Sequence, residues 1–498
     1  MSLNKYPYRS EVPIVLFPIH NPIVDMILTP TRNDIKLSWE YSASDINYLV
    51  KLAVKRSVRK LRIQTFGKPL ELPSCLSTCV TLKSLRLQGV RIKVVVVPPC
   101  FRFPSLKKLR LFSVKFSDYE SLECFLRSCP DLEHLVVKNV LFKTVLPWRL
   151  LPSLKTMHLL SSRFWENESA ASLLRICPVL EDLVVNQTKV FSNNVFASIT
   201  CKTLKTLILR ELSINVVPPS FSMPSLKSMQ ILSVTFSGGE SVANLLKICP
   251  VLEDLFVNQS QVSDSNDFTL SSCRTLKTLT LSVEEVLPWF RLPSLKTLHL
   301  FSVKFSGDES SEDDNVITFN INAPSLRSLS IDNSKRTRAY VGENHGFVIN
   351  APSSEKMDFK DTFSNFLVFE HMPEVTEANI QVICGQSENF IGSLTSIRQL
   401  SLCSLSSEQH GAHYNDPMIH WKEPTAVPES LSTHLEIMEW RQYEGREQER
   451  NVAAYILGNA TCLKMATFST RCRNKHHSML RKLKSLNRVS ETCQLLFD

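Results

Sequence analysis

Glycine is scarce in this sequence, with only 12 among 498 residues. The glycine-dependent motifs G-x-x-x-x-G-K-[ST], G-x-G-x-x-G and G-x-S-x-G do not occur, which removes the sequence support for phosphate-binding loops and nucleophile elbows. The zinc-protease motif H-E-x-x-H is also missing. No class of enzyme is indicated, and we expect neither catalytic residues nor a cofactor.

Long apolar runs are missing too. The run Val94–Val97 is far too short to cross a bilayer, and prolines interrupt the first thirty residues, which carry no basic stretch before an apolar core. We therefore expect no membrane contact, no secretory signal and a cytoplasmic or nuclear location. In such a reducing compartment the 14 cysteines are expected to be free thiols.

One group of metal-ligand types occurs near the C-terminus, formed by Cys462, Cys472, His476 and His477. It contains no C-x-x-C pair, which zinc sites of this kind usually have. We interpret Cys462 as a buried core position and predict no metal site.

The net charge of +9 is spread along the chain, with one concentration of arginine and lysine between Arg471 and Arg488. Basic stretches of this kind bind phosphate backbones, but aromatic residues that stack on bases are not interleaved with it. A solvated helix face is the favoured interpretation, and nucleic-acid binding stays as the alternative.

What the sequence has in abundance is one repeated hexad, L-x-x-L-x-L. Most intervals between successive copies are near 24 residues, which is typical of leucine-rich repeats. The copies begin at Leu82, Leu106, Leu132, Leu154, Leu180, Leu204, Leu226, Leu252, Leu276, Leu295 and Leu326, with a weaker copy at Val58.

Longer stretches repeat as well, so tandem duplication built this chain. The sequence CPVLEDLVVNQT from Cys177 returns as CPVLEDLFVNQS from Cys249. Residues two apart on a strand share a face, so the hexads predict short parallel strands with leucines inward. The segments Glu120–Pro130 and Glu240–Pro250 have helical spacing. We predict an α/β solenoid with a parallel sheet on the concave face and helices on the convex face.

The residues free to carry function in such a fold are the outward positions of the concave strands, because packing fixes the leucines. A mixture of aromatic and arginine residues is favoured at protein interfaces. Trp148 and Trp289, in duplicated V-L-P-W segments, are interpreted as packing between repeats. The predicted protein-binding residues are Arg86, Arg110, Phe112, His134, Lys138, His158, Asp182, Arg210, Asp254, Phe256, His299 and Phe301.

The C-terminal part resembles a known domain. From Trp421 the chain is similar to the FBD domain of the plant F-box/FBD/leucine-rich-repeat proteins, and the hexads complete the resemblance to that family. Ser430 stands where a cysteine is common in the family. The matching residues are Val427-Pro428-Glu429, Glu439-Trp440, Tyr443-x-Gly445, Glu449-Arg450 and Tyr455-Ile456-Leu457-x-Asn459-Ala460.

The resemblance implies a substrate-recognition component related to ubiquitin-ligase receptors of the SCF type. In such proteins an N-terminal F-box docks on a Skp1-like adaptor, but residues 1–45 show neither its Leu-Pro opening nor its Trp-Arg-x-Leu-Trp-like close. Adaptor docking is therefore not expected, and the partner is an unknown protein on the concave face. A protein scaffold without any link to ubiquitin is the alternative.

Four regions follow from these observations. We predict an irregular N-terminal segment without an F-box at 1–44 and a leucine-rich-repeat array at 45–340. Divergent repeats or a linker are predicted at 341–415, and the FBD domain at 416–498. Terminal repeats of a solenoid need a cap, and the FBD domain is expected to supply it.

Overall fold

The structure is a computed structural model of the 498-residue chain. It describes residues 34–37, 43–66, 70–90, 95–96, 102–114, 119–142, 151–164, 174, 177–188, 199–214, 217, 221–236, 244–258, 260–262, 274–282, 289–291, 293–301, 317–333, 345–361, 366–370, 372–382, 393–404, 423, 426–470 and 476–497.

The described residues form one 20-stranded sheet in which all pairings are parallel and successive strands are neighbours. The short strand Gln261–Val262 is the exception to that succession, because it pairs with the end of Ser228–Phe236. The strands are Asp34–Leu37, Lys60–Phe66, Ser84–Val90, Lys108–Phe112, His134–Lys138, Thr156–Leu160, Asp182–Asn186, Thr206–Ile214, Ser228–Phe236, Asp254–Asn258, Gln261–Val262, Thr278–Ser282, Thr297–Phe301, Ser328–Asp332, Lys356–Asp361, Glu377–Val382, Gln399–Ser404, Ile437–Arg441, Met465–Phe468 and Gln494–Phe497.

The hexads determine the register of this sheet. Equivalent leucines of neighbouring repeats lie opposite each other, as in the pair Leu85 and Leu109. All three leucines of a copy are buried, for example Leu82, Leu85 and Leu87. Because each buried leucine contributes roughly 1.5–3 kcal/mol relative to exposure, the stacked copies form one continuous core along the sheet.

The residues that precede each hexad join it to the repeat before. In the Cys-x-Thr headers the threonine hydroxyl donates to a carbonyl of the preceding hexad: Thr81 to Val58 at 3.0 Å, and Thr203 to Leu180 at 2.7 Å. Such bonds satisfy backbone carbonyls that would otherwise be buried without a partner. The headers are therefore structural elements of the solenoid.

Five α-helices lie in the described part of the chain: Ala43–Lys55, Tyr119–Arg127, Glu429–Thr433, Glu447–Asn459 and His476–Lys484, with a 3-10 helix at Ser74–Thr78. The helix predicted at Glu120–Pro130 is thus confirmed. At Glu240–Pro250 the structure describes a helix over residues 244–247. The cysteine of the Cys-Pro header closes both, since the thiols of Cys129 and Cys249 each lie 3.3 Å from the carbonyl four residues earlier.

Several other repeats carry short strands where we expected helices. Their sequences explain the difference, because alternating aromatic and β-branched residues favour strands. In Ile317–Asn322 the alternate residues Phe319 and Ile321 are buried, and Phe347 and Ile349 repeat the pattern. The short parallel strands are Leu70–Glu71 with Val95–Val96, Leu141–Phe142 with Arg163–Phe164, Ile199–Thr200 with Phe221–Ser222, and the set Trp289–Arg291, Ile317–Asn322, His345–Asn350 and Phe366–Phe369.

The boundaries inferred from sequence look different in the structure. Segment 1–44, expected to be irregular, contains the strand Asp34–Leu37, whose four residues are too few to show a periodicity. Region 341–415 contributes three strands to the main sheet. The strand Gln399–Ser404 then pairs with Ile437–Arg441, so the sheet continues into the C-terminal region. None of the helices in the described residues is long and apolar enough to cross a membrane.

Candidate protein-binding surface

The main sheet buries one face in the core and presents the other, here called the open face. Three residues of most strands point to it, and the register aligns them across the sheet as three rows. On the strand Ser84–Val90 they are Ser84 in the first row, Arg86 in the second and Gln88 in the third. Neighbouring side chains within a row stand about 4.8 Å apart at the backbone, close enough to interact.

The structure places all twelve predicted binding residues on the open face. His134, Asp182 and Asp254 belong to the first row. The second row contains Arg86, Arg110, His158, Phe256 and His299, and the third row contains Phe112, Lys138, Arg210 and Phe301. Their role in binding stays a prediction.

The N-terminal end of the open face is cationic. Arg62, Arg86 and Arg110 occupy the second row on three successive strands and are here called the arginine row. The Oε1 atom of Gln88 accepts hydrogen bonds from Arg62 at 3.1 Å and from Arg86 at 3.0 Å. The guanidinium carbon of Arg86 lies 4.5 Å from the ring centre of Phe112, a cation–π contact.

The middle of the open face is apolar. Val136, Val184 and Ile208 continue the second row, and Leu160 and Leu232 lie in the third row. Ile208 is buried even though it lies on this face, because its neighbours cover it. These five residues, together with Phe256, are here called the apolar band. It spans six strands, or about 24 Å between the outermost backbones.

Three histidines lie on or beside this band. His158 stands between Val136 and Val184 in the second row, and burial lowers its pKa despite the opposing charge of Asp182. Burial also lowers the pKa of His134, whose Nδ1 lies 2.7 Å from the Thr156 hydroxyl. His299 stacks on Phe301 with ring centres 6.1 Å apart, and burial lowers its pKa as well.

The C-terminal end of the face carries charges that pair with each other. Asn379 donates to Asp358 at 2.7 Å, and Lys360 lies 3.1 Å from the same carboxylate. Arg441 donates to Asn379, which links three strands into one network. Ser401 donates to Glu439 at 3.0 Å. The two ends of the open face therefore differ in charge and in how far their charges are neutralised.

Sequence analysis missed several residues of this face. Arg62 lies on the weak hexad copy, and Val184 and Ile208 were passed over because apolar residues on alternating strands were assigned to the core. Extending the three-row alignment through every hexad would have found them. The interpretation of Cys462 was wrong: its side chain is exposed, and its thiol lies 3.3 Å from the Thr433 carbonyl.

No group of three or more His, Cys, Asp or Glu side chains that could hold a metal ion occurs among the residues that the structure describes. Of the sequence group at the C-terminus, the side chains of Cys472, His476 and His477 lie outside the described residues. In the helix His476–Lys484, Met479 and Leu483 are buried while Arg481, Lys482 and Lys484 are exposed. That arrangement matches a solvated helix face.

Comparison with known proteins bears on the family. The FBD family model matches residues 423–468, and a model described as FBD-associated F-box protein At5g56370, LRR repeats, matches 46–146 and 192–344. A leucine-rich-repeat model matches 153–178. The FBD-associated F-box protein At5g56560 of Arabidopsis thaliana is 37% identical, over 94% of this chain and 81% of its own length. The chain belongs to the plant F-box/FBD/leucine-rich-repeat family.

Other members of the family match over shorter stretches. The F-box/FBD/LRR-repeat protein At5g56570 of Arabidopsis thaliana is 34% identical over 60% of this chain and 65% of its own length. Among solved structures, an internalin from Listeria monocytogenes covers 53% of this chain and 89% of its own, with 14% identity and a TM-score of 0.28. The repeat fold and the family names together point to a protein-interaction component.

Proposed function

We propose that this protein binds another protein on the open face of its sheet, as a substrate-recognition component related to ubiquitin-ligase receptors of the SCF type. The observation that carries the proposal is the apolar band, flanked on one side by the arginine row. A standard protein interface takes about 800 Å² from each partner, and a face of this length offers that area. Apolar and aromatic residues at the centre with charge around them are the usual anatomy of such interfaces.

The test is a photo-crosslinking pair within one repeat. We would place benzoylphenylalanine at Phe256, on the open face, or at Val251, an exposed residue of the turn before the strand. In plant cells we expect a discrete protein adduct from position 256 and none from position 251. Equal adducts from both positions, or an adduct from 251 alone, would contradict the proposal.

Attachment to a ligase is a separate question. We propose a cytoplasmic or nuclear protein whose residues 1–60 do not retain a Skp1-like adaptor. A pull-down of the full chain with that adaptor is expected to recover background amounts only. Firm retention that is lost when residues 1–60 are removed would overturn this part of the proposal and assign ligase attachment to that segment.

A further inference from the structure

The arginine row brings like charges together. The register places Arg62 directly opposite Arg86 and Arg86 directly opposite Arg110. Like charges directly opposite on neighbouring strands destabilise a sheet. Burial, and then the charge of Arg110, lower the pKa of Arg62. Fold stability alone gives no reason for three such residues in line.

The charge of the row is not neutralised on its own face. On the strands Lys60–Phe66 through His134–Lys138, the open-face residues that the structure describes include no aspartate or glutamate. The register places Lys36 opposite Arg62 and Asp34 opposite Lys60 at the edge of the sheet. Neither Arg62 nor Arg110 forms an ion pair with a described residue, and the Nε of Arg62 is buried without a hydrogen-bond partner there.

Charged residues elsewhere on the sheet behave differently. One position before each strand, Lys107 lies 2.6 Å from Glu133, and Glu253 lies between Lys227 at 3.3 Å and Lys277 at 2.8 Å. At the far end of the open face, Asp358 pairs with Lys360. Pairing between strands is therefore the rule in this solenoid, and Arg62 and Arg110 depart from it.

The geometry also orients the row before any ligand arrives. Gln88 holds Arg62 and Arg86 through one oxygen, and the Phe112 ring lies against Arg86. Side chains held in place lose less conformational entropy on binding. The planar guanidinium group matches a carboxylate with two parallel hydrogen bonds, which a lysine cannot provide.

Resting on the proposed function, we infer that the arginine row binds the carboxylates of an acidic segment of the partner protein. The apolar band adds a second requirement. Arg86 and Val184 are four strands apart, or about 19 Å, which an extended chain covers in about six residues. The segment thus carries an acidic cluster with apolar side chains about six residues away. A phosphate backbone fits less well, because apolar residues and not further cations adjoin the row.

The probe is a phage library of random peptides of about fifteen residues, selected against the immobilised full chain and against its variants, at low salt because charge pairing is screened. The wild type is expected to enrich peptides with clustered Asp and Glu and an apolar group about six residues away, in either direction. The double variant Arg86→Gln/Arg110→Gln should lose that enrichment. The control Lys155→Gln/Lys296→Gln, which removes two exposed charges outside the three rows, should retain it.

Affinities of one selected peptide complete the test. Replacing its acidic residues by Asn and Gln, or the two arginines by glutamine, should each weaken binding at least about tenfold. Melting of Arg110→Gln should not fall, since the change relieves like-charge contact. Enrichment without acidic residues, or unchanged enrichment by the arginine variant, would overturn the inference. Tighter binding of an oligothymidylate than of the peptide would do so in favour of nucleic acid. The crosslinking result at Phe256 is independent of these outcomes.

Discussion

Trp440 is the central side chain of the C-terminal core. It is buried, stands edge-to-face to Tyr443 at 5.4 Å and stacks on Phe468 at 6.2 Å between ring centres. Phe468 in turn stacks on Phe497 of the last strand. This aromatic column follows the register from strand to strand and holds the end of the sheet together.

Trp440→Ala should destabilise the protein by about 3–5 kcal/mol, because truncating a buried aromatic loses its transfer free energy and leaves a cavity. Urea unfolding followed by circular dichroism measures the change. Trp440→Phe keeps an aromatic ring for Tyr443 and Phe468 and should cost less. Equal stability of Trp440→Ala and the wild type would show that the column does not hold the C-terminal strands.

His158 makes stability depend on pH. Burial lowers its pKa in the folded state, while Asp182 opposes that effect and Arg110 and His134 reinforce it. The unfolded chain takes up the proton first, near the ordinary value of 6.5. The contribution of His158 is therefore fully present above that pH and decreases as the pH falls toward the folded pKa.

We expect the free energy of unfolding to decrease between about pH 7.5 and 5.5, with a shallower slope in His158→Gln. Denaturant titrations of both proteins at several pH values give the difference, which removes the shared effect of other groups. Identical slopes would indicate that His158 is protonated as readily in the folded state as in the unfolded state.

At the scale of elements, each strand of the central repeats ends in a left-handed residue. Ser113, Asn139, Ser161, Gln187, Glu211 and Ser233 all have φ between 47° and 54°, although none is glycine. They lie at equivalent positions, and Asn139 donates to Ser113 while Ser161 donates to Gln187. Hydrogen bonds between neighbouring repeats thus accompany a backbone conformation that costs about 1–2 kcal/mol in ordinary residues.

Ser113→Gly and Ser113→Val form a matched pair, because both remove the same hydroxyl. Glycine adopts positive φ freely and valine does so with difficulty. Ser113→Val should therefore be less stable than Ser113→Gly by about 1–2 kcal/mol. Thermal melting of the two variants makes the comparison. If the valine variant melts at the same temperature or higher, the left-handed conformation at the strand end is wrong.

The elements divide clearly into those that sequence could predict and those that it could not. Hexad strands were predictable because their signal is local and repeated. The strand Asp34–Leu37 is too short to show a period, and the short outer strands such as His345–Asn350 follow an alternation that we did not apply outside the hexads. The contact of Arg441 with Asn379, 62 residues away in sequence, depends on register across the sheet and was beyond any local pattern.

At the scale of the whole molecule, one sheet runs from Asp34 to Phe497. A chain that ends at residue 415 would leave Gln399–Ser404 as an open edge and expose Leu400 and Leu402, which are buried in the full chain. We expect that truncation to aggregate or to melt at lower temperature. Scanning calorimetry and light scattering test it, and a soluble fragment with an unchanged midpoint would make the FBD region an independent module.

Removal of residues 1–40 was expected from sequence to be tolerated. The structure revises that expectation, because the deletion takes away the first strand and the buried Leu37. Burial of one leucine contributes about 1.5–3 kcal/mol. The midpoint should therefore fall, but by less than after the truncation at 415, which removes three strands and the aromatic column. A larger fall for the N-terminal deletion would contradict this ranking in calorimetry.

The open face as the protein-binding surface is tested most directly by two valines of one repeat, with the partner captured at Phe256. Val184 lies in the apolar band, and Val179 is exposed in the turn before the strand. Calorimetric titration should show Val184→Glu weakening the partner at least about tenfold, because it buries an unpaired charge at the interface, and Val179→Glu binding like the wild type. Equal affinities of the two variants, or loss with Val179→Glu alone, would contradict the assignment.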